Sequence, residues 1–337
     1  MIKDAIGKLV EGKSLTENES EIVMSEIMSG EATPSQIGAF LVSLRIKGET
    51  IEEITGCAKA MRASAIKILP DAALLVDTCG TGGDALSTFN ISTLVAFVAA
   101  AAGLAIAKHG NRSVSSMCGS ADLLQALGVK IELSPDKVSA CIDKVGVGFL
   151  FAPLLHPAMK YAMPTRKEIG IRTIFNILGP ITNPASAQIQ LLGVYDPKLT
   201  TMLARVLARL GSQRAMVVHG ADRLDELSTT GLNSIAELRN GKVKSYELDP
   251  HKLGLPRARI EDMKGGLPQE NAAIALSILK GEKGPRRDIV LLNSAALFVL
   301  TDKAKDWKEG LELGARMIDS GKAEEKLRQL VEFTNAV

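Results

Sequence analysis

The spacing of the apolar residues changes near residue 72, and this change constrains the fold more than any other feature of the sequence. Before it, apolar residues recur at helical spacing and no β-rich run intervenes. After it, short apolar runs alternate with helical stretches, an order that builds a mainly parallel sheet flanked by helices. We therefore expect an α/β protein with a small helical domain over residues 1–70 and a larger α/β domain over residues 71–337.

Local signals place several elements within this outline. Thr16 and Thr50 each stand three residues before a glutamate, which is the spacing of a capping box, and Thr33 before a proline is typical of a helix start. Asn240-Gly241 lies between two apolar runs and predicts a hairpin with a type I′ turn. Strands are expected over residues 74–76, 104–107, 129–133, 189–194 and 215–219.

The charges nearly balance, with 40 lysines and arginines against 38 aspartates and glutamates and a formal net charge of +2. This balance argues against nucleic-acid binding by bulk charge, and a hydrophobic content of 46% excludes a disordered chain. The longest apolar run, residues 94–107, is shorter than the roughly 20 residues of a membrane span. Since no signal segment or C-x-x-C spacing is present, we expect a reduced, cytoplasmic protein that works without a membrane or nucleic acid.

Residues 7–14 match the phosphate-binding pattern G-x-x-x-x-G-K-S letter for letter. That motif works only between a strand and a helix. Just six residues precede Gly7, which is too few for a strand within a sheet. We therefore interpret Gly12 as the end of a first helix.

A glycine cluster follows the first predicted strand. The sequence Asp77-Thr-Cys-Gly-Thr-Gly-Gly-Asp84 leads into residues 87–93, a Ser/Thr-rich segment that opens an Ala-rich helix. Glycine lets main-chain N–H groups approach an anion closely, and a helix N-terminus adds free N–H groups and a favourable dipole. The segment predicts a phosphate site, and the alternative is a simple turn before a capped helix. It is not the dinucleotide pattern G-x-G-x-x-G, because residue 85 is alanine.

The second predicted strand ends in a cationic, hydroxyl-rich segment over residues 108–116. Because ligands of open α/β sheets gather at the carboxyl ends of strands, this segment and the glycine cluster predict one pocket for a polyanion. Asp225 and Glu226 follow a later strand, and such a pair suits Mg²⁺, which binds through one or two carboxylates, phosphates and water. The residues alone assign no role to His156 or Arg166.

Eight short motifs stand in the order found in the anthranilate phosphoribosyltransferase family, which the chain resembles over nearly its whole length. They are residues 80–84, 90–93, 108–112, 119–122, 156–159, 170–176, 178–184 and 224–226. The resemblance implies a helical N-terminal domain, a larger α/β domain and a homodimer formed through the helical part. It also implies transfer of the phosphoribosyl group from 5-phosphoribosyl 1-diphosphate to the amino group of anthranilate, with Mg²⁺. The products would be N-(5-phosphoribosyl)anthranilate and diphosphate, the second step of tryptophan biosynthesis after chorismate.

The resemblance also implies site residues, and none of them is a covalent nucleophile. Those for 5-phosphoribosyl 1-diphosphate are Gly80, Gly83, Asp84, Thr88, Asn90, Ile91, Ser92, Thr93, Lys108, His109, Gly110, Asn111, Arg112, Ser113, Val114, Ser115, Ser116 and Ser120. Those for anthranilate are Gly80, Asn111 and Arg166, with Arg166 near the carboxylate. Those for Mg²⁺ are Ser92, Asp225 and Glu226.

The chain departs from the family pattern at two places. Met117-Cys118 stands where polar residues, commonly Lys-Ser, are expected, and Arg223 stands where a glycine usually precedes Leu-Asp-Glu. Either departure could alter loop geometry or affinity for diphosphate. Two other functions stay open, a pyrimidine-nucleoside phosphorylase-like enzyme and a non-catalytic relative that binds nucleic acid, and the acceptor could be a substituted anthranilate.

Overall fold

A computed structural model of the protein describes residues 1–82, 86–113 and 117–336. Within these residues lies a sheet of seven strands in the order β3-β2-β1-β4-β5-β6-β7. The strands are β1 (Leu75–Gly80), β2 (Ala105–Gly110), β3 (Val147–Phe151), β4 (Ile189–Gly193), β5 (Arg214–His219), β6 (Asn233–Arg239) and β7 (Lys242–Leu248). The first five pair in parallel, and β6 and β7 add an antiparallel hairpin at one edge.

Helices form the whole of the regular structure before the sheet. They are α1 (Ile2–Val10), α2 (Glu17–Ser29), α3 (Pro34–Lys47) and α4 (Ile51–Ser64). Thr16, Thr33 and Thr50 cap the last three of these, as predicted, and Thr33 also forms a capping box, with Gln36. Gly7 lies inside α1 and Gly12 has a φ of +74° just beyond it, so the match to the phosphate-binding pattern is a helix and its end.

Further helices cover the sheet. They are α5 (Ile91–Ala101), α6 (Ser120–Ala126), α7 (Pro135–Val145), α8 (Ala152–Leu155), α9 (Met163–Ile169), α10 (Phe175–Ile181), α11 (Lys198–Arg209), α12 (Pro268–Leu279), α13 (Pro285–Leu300), α14 (Trp307–Asp319) and α15 (Lys322–Asn335). Short 3₁₀ turns lie at Pro157–Tyr161, Ala221–Arg223, Pro250–Leu253 and Ile260–Met263.

The central strands are buried on both faces, which explains their continuous apolar runs. Leu191 and Met216 face a core that α5, α13 and α15 complete. Leu192 and Val217 face the opposite core, which contains the four N-terminal helices together with α10 and α11. The N-terminal bundle therefore packs on one face of the sheet, through helices that belong to the α/β part.

The hairpin and most of the predicted strands are confirmed. Asn240 and Gly241 have φ values of +53° and +72°, as a type I′ turn requires. The strand predicted over 129–133 is wrong, because Val129 and Ile131 are buried without pairing to a strand, and the Lys130 N–H donates to Thr334 Oγ1 over 3.2 Å. The place beside β2 belongs to β3, a strand that is not among those predicted from the sequence.

Two further features concern the length of the helices and the state of the thiols. Among the described residues, no helix is both long and apolar enough to cross a membrane. The four cysteines, Cys57, Cys79, Cys118 and Cys141, are buried free thiols.

Candidate active site

The carboxyl ends of four neighbouring parallel strands lie at one edge of the sheet. β1 ends at Gly80 and β4 at Gly193, and these two residues pair directly. β2 ends at Gly110 on one side, and β5 ends at His219 on the other. The segments that follow these strands therefore converge, as is usual for a ligand site in an open α/β sheet.

Asp225 lies against the ends of β1 and β4 because glycines leave room for it. A Cβ at Gly80 would overlap the Asp225 carboxylate, and a Cβ at Gly193 would overlap the Asp225 carbonyl oxygen. The Gly82 N–H also donates to Asp225 Oδ2 over 2.6 Å. The glycines at these strand ends thus allow the acidic segment to approach the glycine cluster.

Glu226, Ser92 and Lys108 meet beside this contact. The Ser92 N–H, in the first turn of α5, donates to Glu226 Oε1 over 3.2 Å. Lys108 Nζ, from β2, donates to Ser92 Oγ over 3.3 Å and to the Thr78 carbonyl oxygen over 2.5 Å. Three distant parts of the sequence therefore place one buried cation, one hydroxyl and one buried carboxylate together.

Burial dominates the electrostatics of this group. Burial and the neighbouring Asp225 carboxylate together raise the pKa of Glu226 to about 8, against the opposing influence of Lys108. Burial also lowers the pKa of Lys108, and the buried Asp77 carboxylate is the largest influence that opposes the decrease. A bound cation near Asp225 and Glu226 would offset the repulsion between the two carboxylates.

The donor set at this place fits Mg²⁺. In the part of the chain that the structure describes, no group of three or more His, Cys, Asp or Glu residues could hold a metal by itself. Asp225, Glu226 and the Ser92 hydroxyl are oxygen donors, and Mg²⁺ typically takes one or two carboxylates and completes its shell with phosphates and water. The site therefore suits a cation that arrives with a phosphorylated ligand.

Asparagine side chains shape the start of α5. Asn90 Nδ2 donates to the Cys118 carbonyl oxygen, and Asn271 Nδ2 donates to Asn90 Oδ1, each over 3.0 Å. Thr88 forms an isolated bridge with Lys264. Asn271 belongs to the site region and was missed by the sequence analysis, since it lies 181 residues beyond Asn90 without a local motif.

Asp122 organises the segment after β2. Its carboxylate accepts from the N–H groups of Ser113 and Gly119 over 3.1 and 2.9 Å. It also accepts from the Arg112 guanidinium over 3.0 Å, so this cation is already paired. Ser120 Oγ donates to the Asn111 carbonyl oxygen over 3.3 Å. The predicted residues 111–113 and 120 therefore form one hydrogen-bonded unit.

Asp77 supports the floor of the site. Its buried carboxylate accepts from the His109 N–H over 3.1 Å and from Asn183 Nδ2 over 2.8 Å. The His109 ring lies 5.1 Å from the His156 ring, centroid to centroid. Burial lowers the pKa of His109 to about 3 and that of His156 to about 4, and the Nε2 atoms of both rings are buried without a partner in the described structure.

Arg166 lies on α9, which packs against α3 of the N-terminal bundle. Its guanidinium carbon lies 4.9 Å from the ring centroid of Phe175 at the start of α10, and burial lowers its pKa. Further along α10, the Pro180 carbonyl oxygen accepts from Gln190 Nε2 over 2.7 Å. Within the described residues, no hydrogen bond joins Arg166 to Gly80 or Asn111.

The structure thus brings together most of the predicted anion-binding segments and places the three predicted Mg²⁺ residues side by side. Five predicted residues lie outside the described part, namely Gly83, Asp84, Val114, Ser115 and Ser116.

The chain departs from the family pattern at two places. At the first, Met117 is exposed and the Cys118 carbonyl oxygen accepts from Asn90 Nδ2. Arg223 has a φ of +70°, the left-handed region that favours glycine.

Comparison with known proteins agrees with this arrangement. The model described as "Glycosyl transferase family, helical bundle domain" matches residues 3–65, and the one described as "Glycosyl transferase family, a/b domain" matches residues 72–324. The anthranilate phosphoribosyltransferase of Acetivibrio thermocellus is 57% identical over 336 residues, covering 100% of this chain and 97% of that protein.

Solved structures give the same result. The anthranilate phosphoribosyltransferase of Thermus thermophilus superposes with a TM-score of 0.94 at 46% identity, covering 99% of this chain and 100% of that one. The Saccharomyces cerevisiae enzyme, solved in complex with PRPP and Mg, superposes with a TM-score of 0.90 at 29% identity, covering 100% and 98%. The yeast enzyme has also been solved in complex with 4-fluoroanthranilate. The chain therefore belongs to the anthranilate phosphoribosyltransferase family of glycosyl transferases.

Proposed function

We propose that this chain transfers the phosphoribosyl group of 5-phosphoribosyl 1-diphosphate to the amino group of anthranilate, in tryptophan biosynthesis. The observation that carries the proposal is the convergence of Lys108, Ser92 and Glu226 at the carboxyl edge of the sheet. A buried lysine, a helix N-terminus and a carboxylate pair are the groups that a metal-bound diphosphate needs. Full-length relatives at 51–57% identity carry this activity in their names.

The donor binds along the glycine cluster and the start of α5. Main-chain N–H groups at these places and the Lys108 ammonium hold the phosphates. Ser92, Asp225 and Glu226 hold Mg²⁺, which neutralises charge on the departing diphosphate when it is bound. Asn90 and Asn271 fix the first turn of α5 so that its N–H groups keep their direction.

The acceptor binds on the side of α9. A guanidinium fork is the natural partner of a carboxylate, so Arg166 holds the carboxylate of anthranilate. The Phe175 ring limits the motion of this guanidinium. Asn111 and Gly80 lie at the ends of β2 and β1 and line the path from acceptor to donor.

The reaction depends on the placement of the two substrates and on stabilisation of the charge that develops on the diphosphate. The aniline nitrogen is neutral near pH 7 and attacks C1 of the ribose as the bond from C1 to the diphosphate oxygen breaks. The sugar passes through an oxocarbenium-like state, as in other glycosyl transfers, and the nitrogen then loses a proton to solvent. Lys108 and the N–H groups stabilise the diphosphate as it gains charge, and no covalent intermediate is needed.

Two broader expectations form part of the proposal. The chain acts as a homodimer assembled through the N-terminal helical domain, residues 1–70, with residues 71–337 as the catalytic domain. It works in the cytoplasm, where four free thiols remain reduced.

Mass spectrometry of the product tests the proposal. Incubation with anthranilate, 5-phosphoribosyl 1-diphosphate and Mg²⁺ should yield N-(5-phosphoribosyl)anthranilate and one equivalent of diphosphate. Parallel reactions with phosphate and a pyrimidine nucleoside test the phosphorylase alternative, and substituted anthranilates test the choice of acceptor. Turnover of the nucleoside but not of anthranilate would overturn the proposal.

A further inference from the structure

Thr81, Tyr195 and Arg172 form a continuous chain of contacts from the glycine cluster to the segment that carries Arg166. We refer to these three residues as the contact chain. None of them belongs to the residues assigned to ligands above.

The first link fixes Thr81 from both sides. Its N–H donates to the Gly193 carbonyl oxygen over 2.9 Å, which continues the pairing of β1 with β4. Its Oγ1 accepts from the Tyr195 N–H over 3.2 Å. Thr81 follows the last residue of β1 and precedes Gly82, so the segment after β4 holds the base of the glycine cluster.

The second link is a cation–π contact. The Arg172 guanidinium carbon lies 4.4 Å from the ring centroid of Tyr195, a half-buried side chain that also packs against the core shared with the N-terminal helices. Charges on Arg45 and Glu49 of the helical domain act on the same phenol. The ring of Tyr195 therefore packs between the Arg172 guanidinium and the core shared with the N-terminal helices.

The third link joins this contact to the acceptor side. α9 carries Arg166 and ends at Ile169, and the next residue, Gly170, has a φ of +66° and lies two residues before Arg172. Arg166 and Arg172 each lie over an aromatic ring, Phe175 in one case and Tyr195 in the other. One short segment thus carries two guanidinium groups. In the proposed function, Arg166 binds the acceptor and Arg172 does not.

We propose that Arg172 is a positioning residue that acts through Tyr195 to fix Thr81, and hence Gly80 and Gly82 beside it, for the diphosphate of the donor. The proposal rests on the proposed function for the identity of that ligand. Loss of the ring or of the guanidinium frees the segment after β4, so Thr81 and Gly82 are held less firmly and bind the anion less tightly.

Calorimetric titration with diphosphate in the presence of Mg²⁺ tests this proposal without any acceptor. Tyr195→Leu removes the ring, Arg172→Met removes the cation at similar length, and Tyr195→Phe keeps the ring as a matched control. We expect the Kd for diphosphate to rise about threefold to thirtyfold in the first two variants, the range of one cation–π contact. The double variant should be no weaker than the weaker single variant, because both remove the same contact.

Kinetics then separate positioning from a loss of stability. In Tyr195→Leu, the KM for the donor should rise with kcat within about twofold. Tyr195→Phe should bind diphosphate within about twofold of the unmodified protein, since its ring keeps the contact. Unchanged diphosphate affinity in both Tyr195→Leu and Arg172→Met, or additive losses in the double variant, would overturn the proposal. If the unmodified protein binds diphosphate but leaves anthranilate unchanged, the proposed function fails, and the same titrations still decide the role of Arg172.

Discussion

The Ser92 N–H donates to the Glu226 carboxylate over 3.2 Å, although 134 residues separate them along the chain. This bond ties the N-terminus of α5, the proposed anion-binding element, to the carboxylate pair that follows β5. Because Lys108 Nζ donates to the hydroxyl of the same serine, the cationic and acidic groups of the site form one unit. A change at either end is therefore expected to affect binding of both the metal and the diphosphate.

Removing the charges of the carboxylate pair should weaken use of Mg²⁺. In the double variant Asp225→Asn with Glu226→Gln, the Mg²⁺ concentration for half-maximal rate should rise about tenfold or more, the scale on which even outer-shell partners change metal affinity. Asp222→Asn is the matched control, because Asp222 is a carboxylate close in sequence that is not assigned to the metal and accepts from Thr230 Oγ1 instead. An unchanged dependence on Mg²⁺ in the double variant would refute the metal assignment.

Arg166→Ala should mainly raise the KM for anthranilate. A hydrogen bond to a charged group contributes about 1.5–3 kcal/mol, which corresponds to about a tenfold to hundredfold increase. Steady-state kinetics with each substrate varied in turn measure the effect, and Lys167→Ala on the same helix is the control. A defect confined to the phosphoribosyl donor would count against the assignment.

Gly80→Ala should reduce donor affinity far more than Gly7→Ala. A Cβ at residue 80 overlaps the Asp225 carboxylate, so the acidic segment must move away from the glycine cluster. A Cβ at residue 7 meets nothing within 4 Å and lies in α1, where alanine is the better helix former. Calorimetry with diphosphate and Mg²⁺ compares the two variants. Equal losses of diphosphate affinity in the two variants would instead support a phosphate-binding role for residues 7–14.

Stability should fall as the pH drops from 7.5 to 5, in part because of His109 and His156. Their folded pKa values of about 3 and about 4 lie below the roughly 6.5 of an unfolded chain. The unfolded state therefore binds more protons below pH 6.5, so stability present above this pH is lost as the pH falls. Each histidine accounts for a loss of about 2 kcal/mol at pH 5.

Urea unfolding at pH 7.5 and pH 5 measures this loss. His156→Gln should reduce the difference between the two pH values by about 2 kcal/mol, because one of the two buried imidazoles is gone. His251→Gln, at a site away from this pair, is the control. An identical pH dependence in His156→Gln and the unmodified protein would contradict the assignment.

The sequence predicts elements whose signals are local. Thr16 and Thr50 form capping boxes with residues three positions away, and the Asn240-Gly241 turn depends on its own backbone angles. Each of these signals acts over a few residues, so tertiary contacts do not override it.

The errors concern elements that distant contacts decide. Val129 and Ile131 alternate with charged residues as in a strand, but the main chain between them bonds to the C-terminal helix, where the Lys130 N–H donates to Thr334 from 204 residues away. Asn271 and Tyr195 reach the site region by similarly long-range contacts and have no local motif. Arg166 could be given a role only through the family resemblance, because its sequence neighbours resemble an ordinary charged helix face.

The loss of anthranilate fluorescence is a direct measure of the proposed activity. With purified protein, 5-phosphoribosyl 1-diphosphate and Mg²⁺ all present, the fluorescence should decline as the amino group acquires its ribosyl substituent. Omission of the donor, or addition of EDTA, should prevent the decline. Constant fluorescence in the complete mixture, with the protein shown to be folded by circular dichroism, would contradict the proposed activity.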